Sequence, residues 1–160
     1  MEDDHSRLTE NQGFLVSFFD GKTGGDRLAC RNDLNPAEII DFLPYVSLFE
    51  LSLDEQATVK DIKCRLFGTG LVNFYGEWTG KTIRNNDSSD DLKNIHPNTH
   101  DRLIGMINKM IRVRKPVTLY SEQVSEDRSY WQIRNLAIPF AKNGHDIDML
   151  FMYTELTCKS

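Results

Sequence analysis

His96 and His100 stand four residues apart with Asp101 adjoining, and no other residues in this chain have a spacing better suited to chemistry. On a helix that spacing sets both imidazoles on one face, where they could ligate a metal or offer an axial nitrogen to a haem. A metal needs a third ligand and none is evident nearby. The structural reading is a polar first helical turn, in which Asp101 also suits the helix dipole. Gly21-Lys22-Thr23 and Gly80-Lys81-Thr82 carry the last letters of a phosphate loop. Val16 and Tyr75, however, stand where such a loop requires its first glycine, and no parallel βαβ setting surrounds either, so both read as turns. Ser17, Ser47 and Ser121 lack the elbow context of a nucleophile, and His5 and His145 fall in a tail and a turn. The chain is therefore read as non-enzymatic, with no metal site.

Aromatic residues form the second concentration. Phe74, Tyr75 and Trp78 cluster early, and Tyr120, Tyr130, Trp131 and Phe140 late. Most read as core, but a ligand pocket is also mostly apolar with a few polar groups to orient its guest. The candidate pocket takes Phe74, Tyr75 and Trp78 from the first cluster and Tyr120, Trp131 and Arg134 from the later strands. His96, Leu103 and Ile107 join it from the helix between. In the segment 130–137, Trp131, Ile133, Asn135 and Ala137 share one strand face, and Tyr130, Gln132, Arg134 and Leu136 the other. Both faces are mixed, so the inward one is left open.

These candidates need elements to hold them. The 160 residues fit one domain, with 39% hydrophobic and 27% charged residues, enough apolar material for a core. A net charge of −5 argues against nucleic acid or an anionic membrane as partner. The three cysteines, Cys30, Cys64 and Cys158, are odd in number and widely spaced, which reads as reduced thiols. With an acidic N-terminus and no apolar run near the roughly 20 residues of a membrane span, the expectation is a cytoplasmic protein.

Residues 1–13 read as a flexible tail and 14–160 as one domain, although Thr9 and Gln12 have capping-box spacing. Phe14, Leu15, Phe18 and Phe19 form a short apolar helix ended by Asp20-Gly21 and Gly24-Gly25. A helix so apolar must pack on the domain or on a partner. Asn35, Pro36 and Glu38 open a second helix, which Pro44 stops. Segments 46–53 and 57–67 read as a hairpin, with 54–56 as its loop. The glycine- and asparagine-rich stretch 68–94 reads as short helical turns. Pro97 opens a long helix with Leu103, Ile107, Met110 and Ile111 as its apolar stripe, closed by Pro116. Segments 117–124, 130–140 and 147–157 read as three further strands, the last two joined by the turn signal Asn143-Gly144. The fold class is α+β, one antiparallel sheet with helices covering a face.

Ordered along the chain, Arg31-Asn32-Asp33-Leu34 with Pro36, Leu43-Pro44, Arg65-Leu66-Phe67-Gly68-Thr69-Gly70, Gly76, Thr79-Gly80 and Arg114-Lys115-Pro116 resemble PAS domains. The nearest likeness is to a bacterial type found as free-standing domains, and it spans residues 14 to 156. The resemblance implies a five-stranded antiparallel sheet in the order 2-1-5-4-3, a long helix across its concave face, and a pocket between them. It also implies a sensory or docking role through a small molecule, a signalling protein such as a histidine kinase, or both. Dimers built on the N-terminal helix belong to the same implication, giving Phe14, Leu15, Phe18 and Phe19 a dimer or partner surface.

The family's flavin chemistry does not carry over. It needs a cysteine in an Asn-Cys-Arg helix after the second strand, and none occurs between Cys64 and Cys158. The haem-binding type needs a pocket-facing histidine on the long helix, which His96 and His100 leave open; otherwise no cofactor is expected. The rival from another class is a cone-shaped pocket enzyme of the ketosteroid-isomerase kind, in which the helices largely precede the sheet.

Overall fold

The computed structural model describes residues 7–84, 99–124 and 128–159. The expectations for His96, for Pro97 and for the part of the stretch 68–94 beyond residue 84 lie outside the described residues.

Among the described residues six strands form one sheet: β1 (Val46–Leu53), β2 (Val59–Phe67), β3 (Thr82–Arg84), β4 (Val117–Val124), β5 (Tyr130–Phe140) and β6 (Met149–Lys159). Their order is β3-β2-β1-β6-β5-β4, and every neighbouring pair is antiparallel. Without β3 this is the expected 2-1-5-4-3 arrangement. The additional strand, β3, is a three-residue edge that pairs Ile83 with Ile62 of β2. It is too short for any hydrophobic period to show. The first hairpin turns on Asp54, whose Oδ1 accepts from the backbone N–H of Gln56 at 2.9 Å and Thr58 at 3.0 Å. Ala57 takes φ 60° in that turn, so β2 starts at Val59 rather than at 57.

Each face of the sheet carries its own core, because successive side chains of a strand point to opposite sides. Phe49, Ile62, Cys64, Ala137 and Leu150 belong to the concave layer. Val46, Leu48, Leu136, Phe140 and Phe151 belong to the outer one. Helix α1 (Glu10–Thr23) covers the outer face. It begins at Glu10, so the expected tail over 1–13 is shorter: Thr9 Oγ1 accepts from Gln12 N–H at 3.2 Å, and Gln12 Oε1 accepts from Thr9 N–H at 3.0 Å. Gly24, at φ 65°, closes the helix by donating to the Asp20 carbonyl at 2.9 Å.

Leu15 and Phe19 are buried inside the chain's own core, where Phe19 meets Phe140 at 5.2 Å and Phe151 at 4.9 Å between ring centroids. Each such burial contributes about 1.5–3 kcal/mol. That corrects the reading of all four aromatic-helix residues as a partner surface, since these two are already occupied. Phe14 is 50% exposed and stacks on Phe42, and Phe18 is half-buried.

Between α1 and the sheet the chain runs through three 3₁₀ turns, Arg31–Asp33, Pro36–Ile39 and Leu43–Tyr45. Asn35 caps the second as expected, its Oδ1 accepting from Ala37 N–H at 3.1 Å. The expected α-helix there is one tight turn, however, with Ile39 buried and Ile40 exposed. Proline at 36 and 44 removes two donors from a segment this short, leaving too few bonds to propagate a helix.

Helix α2 (Thr69–Tyr75) docks directly on the last of these turns. A Cβ at Gly68 would lie 2.3 Å from the Pro44 carbonyl oxygen, and one at Gly70 would lie 2.6 Å from the Tyr45 ring. Gly68 has φ −63°, so glycine is needed there for close approach and not for a left-handed backbone. Helix α3 (Thr99–Val113) crosses the concave face and buries Ile104, Met106, Ile107 and Met110, while Leu103 and Ile111 flank them half-buried. Asn108 Oδ1 accepts from Val59 N–H at 2.8 Å and ties the helix to β2. Helices α2 and α3 enter between β2 and β4, unlike the helix-first order of the cone-shaped enzymes. Among the described residues, no helix is long and apolar enough to cross a membrane.

Candidate functional site

A cavity of about 110 Å³ lies between α3 and the concave face. Its apolar wall is assembled from three directions. Phe49 and Ile133 rise from the sheet, Tyr75 and Trp78 come from α2 and the loop after it, and Leu103 and Met106 descend from α3. The Trp78 indole N–H is already satisfied, donating to the Tyr75 carbonyl at 3.2 Å. Burial holds the Tyr75 phenol above the usual tyrosine range, so it is neutral at any physiological pH.

The floor is polar. Ser47 on β1, Thr154 on β6 and Asn135 on β5 line the cavity from three adjacent strands. Asn135 and Thr154 are direct cross-strand partners, and Thr154 Oγ1 donates to Asn135 Oδ1 at 2.8 Å. Ser47 is 1% exposed, and among the described residues its hydroxyl has no hydrogen-bond partner. A buried hydroxyl left unpaired costs about 1–3 kcal/mol. The charged residues bordering the cavity, Arg102 and Glu122, are exposed at its rim.

Of the residues singled out from sequence, Tyr75, Trp78 and Leu103 line this cavity. Phe74 and Trp131 stack edge-to-face at 5.0 Å without lining it, and Ile107 is fully buried in the concave core. Tyr120 and Arg134 do not border it either. They face each other on β4 and β5, with the guanidinium 5.1 Å from the ring centroid. The face of β5 left open by the sequence is thus resolved: Ile133, Asn135 and Ala137 look inward, and Leu136, Ile138 and Phe140 lie under α1. Sequence reasoning missed Ser47, Asn135 and Thr154. The signal was faint, a lone polar residue at an inward position of an otherwise apolar strand.

His100 Nε2 donates to the Arg84 carbonyl at 2.7 Å, and its Nδ1 lies 3.1 Å from Asp101 Oδ1. The Nε2 contact holds the start of α3 to the end of β3, and Nδ1 is engaged by the next residue of the same helix. Among the described residues, no group of three or more His, Cys, Asp or Glu side chains is placed to hold a metal. The Arg31–Leu34 motif has a structural use. Asp33 takes a two-pronged contact from the Arg27 guanidinium at 2.6 and 2.8 Å and accepts from Cys30 N–H at 2.8 Å. The Arg27 guanidinium holds this carboxylate well below its usual range, against the opposing effect of burial.

No family model matches the chain, and no curated protein matches it. Among solved structures it is similar to a PAS domain of a protein from Colwellia psychrerythraea, at 11% identity and a TM-score of 0.43, covering 78% of this chain and 98% of that one. It is also similar to a variant of RsLOV, at 10% identity and a TM-score of 0.43, covering 96% and 72% of the two chains. A sensory box sensor histidine kinase from Vibrio cholerae is similar at 13% identity and a TM-score of 0.34, covering 78% and 90%. The chain's own strand order, with the long helix across the concave face, gives it a PAS-like fold.

Proposed function

We propose that this chain is a non-enzymatic, PAS-type sensory domain that takes a small molecule into the cavity beneath α3 and reports occupancy to a signalling protein by contact. The observation that carries the reading is the cavity itself: apolar walls, a polar floor and, among the described residues, charged side chains only at its rim. Such a space binds and orients a guest, and among the described residues its interior offers neither an activated nucleophile nor a charged acid–base group to transform one.

The mechanism is a population shift. A guest touching both α3 and the sheet favours the packing in which those contacts are made, and a partner sensitive to that packing reads the change. A histidine kinase or similar regulator is the kind of partner this requires, and a cytoplasmic setting suits it. Phe14 and Ile40, exposed beside each other along one groove of the outer layer, supply apolar surface for such a contact. Native mass spectrometry of freshly purified protein tests the reading, because it reports retained small molecules and subunit number together. A reproducible bound mass released on unfolding is the expected result. Turnover of that molecule by the purified protein would overturn the non-enzymatic reading.

A further inference from the structure

Resting on that reading, we infer that the guest is a small neutral aromatic molecule carrying one hydroxyl or carbonyl, of about the size of phenol. Size gives the first bound. The cavity of about 110 Å³ is comparable to the roughly 150 Å³ hollow that accommodates benzene, and well short of the roughly 300–1,000 Å³ of sites for drug-sized ligands. Phe49, Phe67, Tyr75 and Trp78 supply ring faces and edges against which a flat guest packs.

Charge gives the second bound. Among the described residues the charged groups bordering the cavity, Arg102 and Glu122, stay at its rim, so a carboxylate or ammonium drawn inside would lose its hydration without gaining a counter-charge from them. The unpaired hydroxyl gives the third. Ser47 is buried on the floor with neither donor nor acceptor used among the described residues. Beside it, the Thr154 hydrogen bond occupies Asn135 Oδ1 and leaves the Asn135 Nδ2 donors for something else. Register fixes this grouping. Ser47 pairs with Met152, which pairs with Ala137, and the Thr154–Asn135 pair lies two residues further along, so Ser47 stands one inward position from that pair on the same face of the sheet. A ring bearing one oxygen meets the Ser47 hydroxyl, exchanging a hydrogen bond with it, while the Asn135 Nδ2 donors lie one inward position further along the same floor. A bare hydrocarbon leaves both unmet.

The test titrates the full chain, labelled with ¹³C at its methionine methyls, with phenol, benzene and benzoate in turn. Phenol is expected to bind saturably and to shift Met106 and Met152, which line the cavity. Benzene is expected to bind about tenfold more weakly, and benzoate not at all. Ser47→Ala, which removes an unpaired group without changing shape, should lose about tenfold in phenol affinity and leave benzene unchanged. Refusal of phenol, equal affinity for benzene and phenol, or binding of benzoate at the same methyls each overturns the inference, and the wild-type series decides this without any variant. The two readings fail separately. A larger guest recovered by native mass spectrometry with phenol refused sinks this ligand class and leaves the sensor standing; phenol bound but consumed does the reverse.

Discussion

Gly68→Ala probes the seam between α2 and the turn before β1, which positions Tyr75 in the cavity wall. The added methyl would sit 2.3 Å from the Pro44 oxygen and 2.5 Å from the Leu43 oxygen. A carbon–oxygen contact relaxes only beyond about 3.3 Å, so two backbone segments must part by about 1 Å. Neither obstacle is a side chain that can rotate away. Overpacking costs about 1–3 kcal/mol, and rigid backbone on both sides puts this site at the upper end, about 3 kcal/mol. For a domain of this length, that lowers Tm by about 6–12 °C. Gly105→Ala supplies the control: it lies within α3 with nothing inside 4 Å of its Cβ position. There the helical entropy gain should stabilise by about 0.5–1 kcal/mol. Urea unfolding followed by the emission of Trp78 and Trp131 measures both. A Gly68→Ala protein within about 1 kcal/mol of wild type would refute the close-approach argument.

Phe19→Ala removes a ring packed between Phe140 and Phe151 and should cost about 3–5 kcal/mol, whereas Phe14→Ala, at a half-exposed ring, should cost less than about 1 kcal/mol; equal losses in chemical denaturation would show that α1 is not seated as described. Asp33→Asn should destabilise by about 1–2 kcal/mol at neutral pH, because it weakens the Arg27 contact at a partly exposed site. The folded carboxylate is depressed, so its contribution is complete above the unfolded pKa of about 4 and is lost as pH falls toward the folded value. The gap between the two proteins should therefore narrow below about pH 4, and a gap constant down to about pH 2.5 would count against the pairing. Burial pushes the Cys64 thiol up to about 11, while Cys158 is exposed. A thiol reagent at mild alkaline pH should modify Cys158 in the folded protein and reach Cys64 only after unfolding, as peptide mass mapping would report.

The sheet and its long helix were legible because each leaves a period in the sequence. Val46–Leu53 and the three strands after α3 are long enough to alternate, and Pro116 marks the end of α3 plainly. What escaped was set by contacts made across the chain. Thr82–Arg84 is a strand only because β2 offers an edge to it. The Gly68–Gly70 pair looked like turn chemistry, whereas the turn ahead of β1 requires it for clearance. The inward face of β5 could not be chosen from a mixed alternation, since α1 covers Leu136, Ile138 and Phe140 and α3 covers Ala137. Ser47 carries only the faint local signature of a polar residue at an inward strand position; its meaning comes from neighbours on β5 and β6 more than eighty residues away.

Successive residues of β1 and β6 serve different layers. Ser47 and Met152 border the hollow, while Val46, Leu48, Phe151 and Tyr153 meet the aromatic packing under α1. The peptide units between them are stiff and close-packed on either side. The sheet is thus a partition one backbone thick: whatever wedges these strands apart from within also lifts the footing on which the outer helix stands.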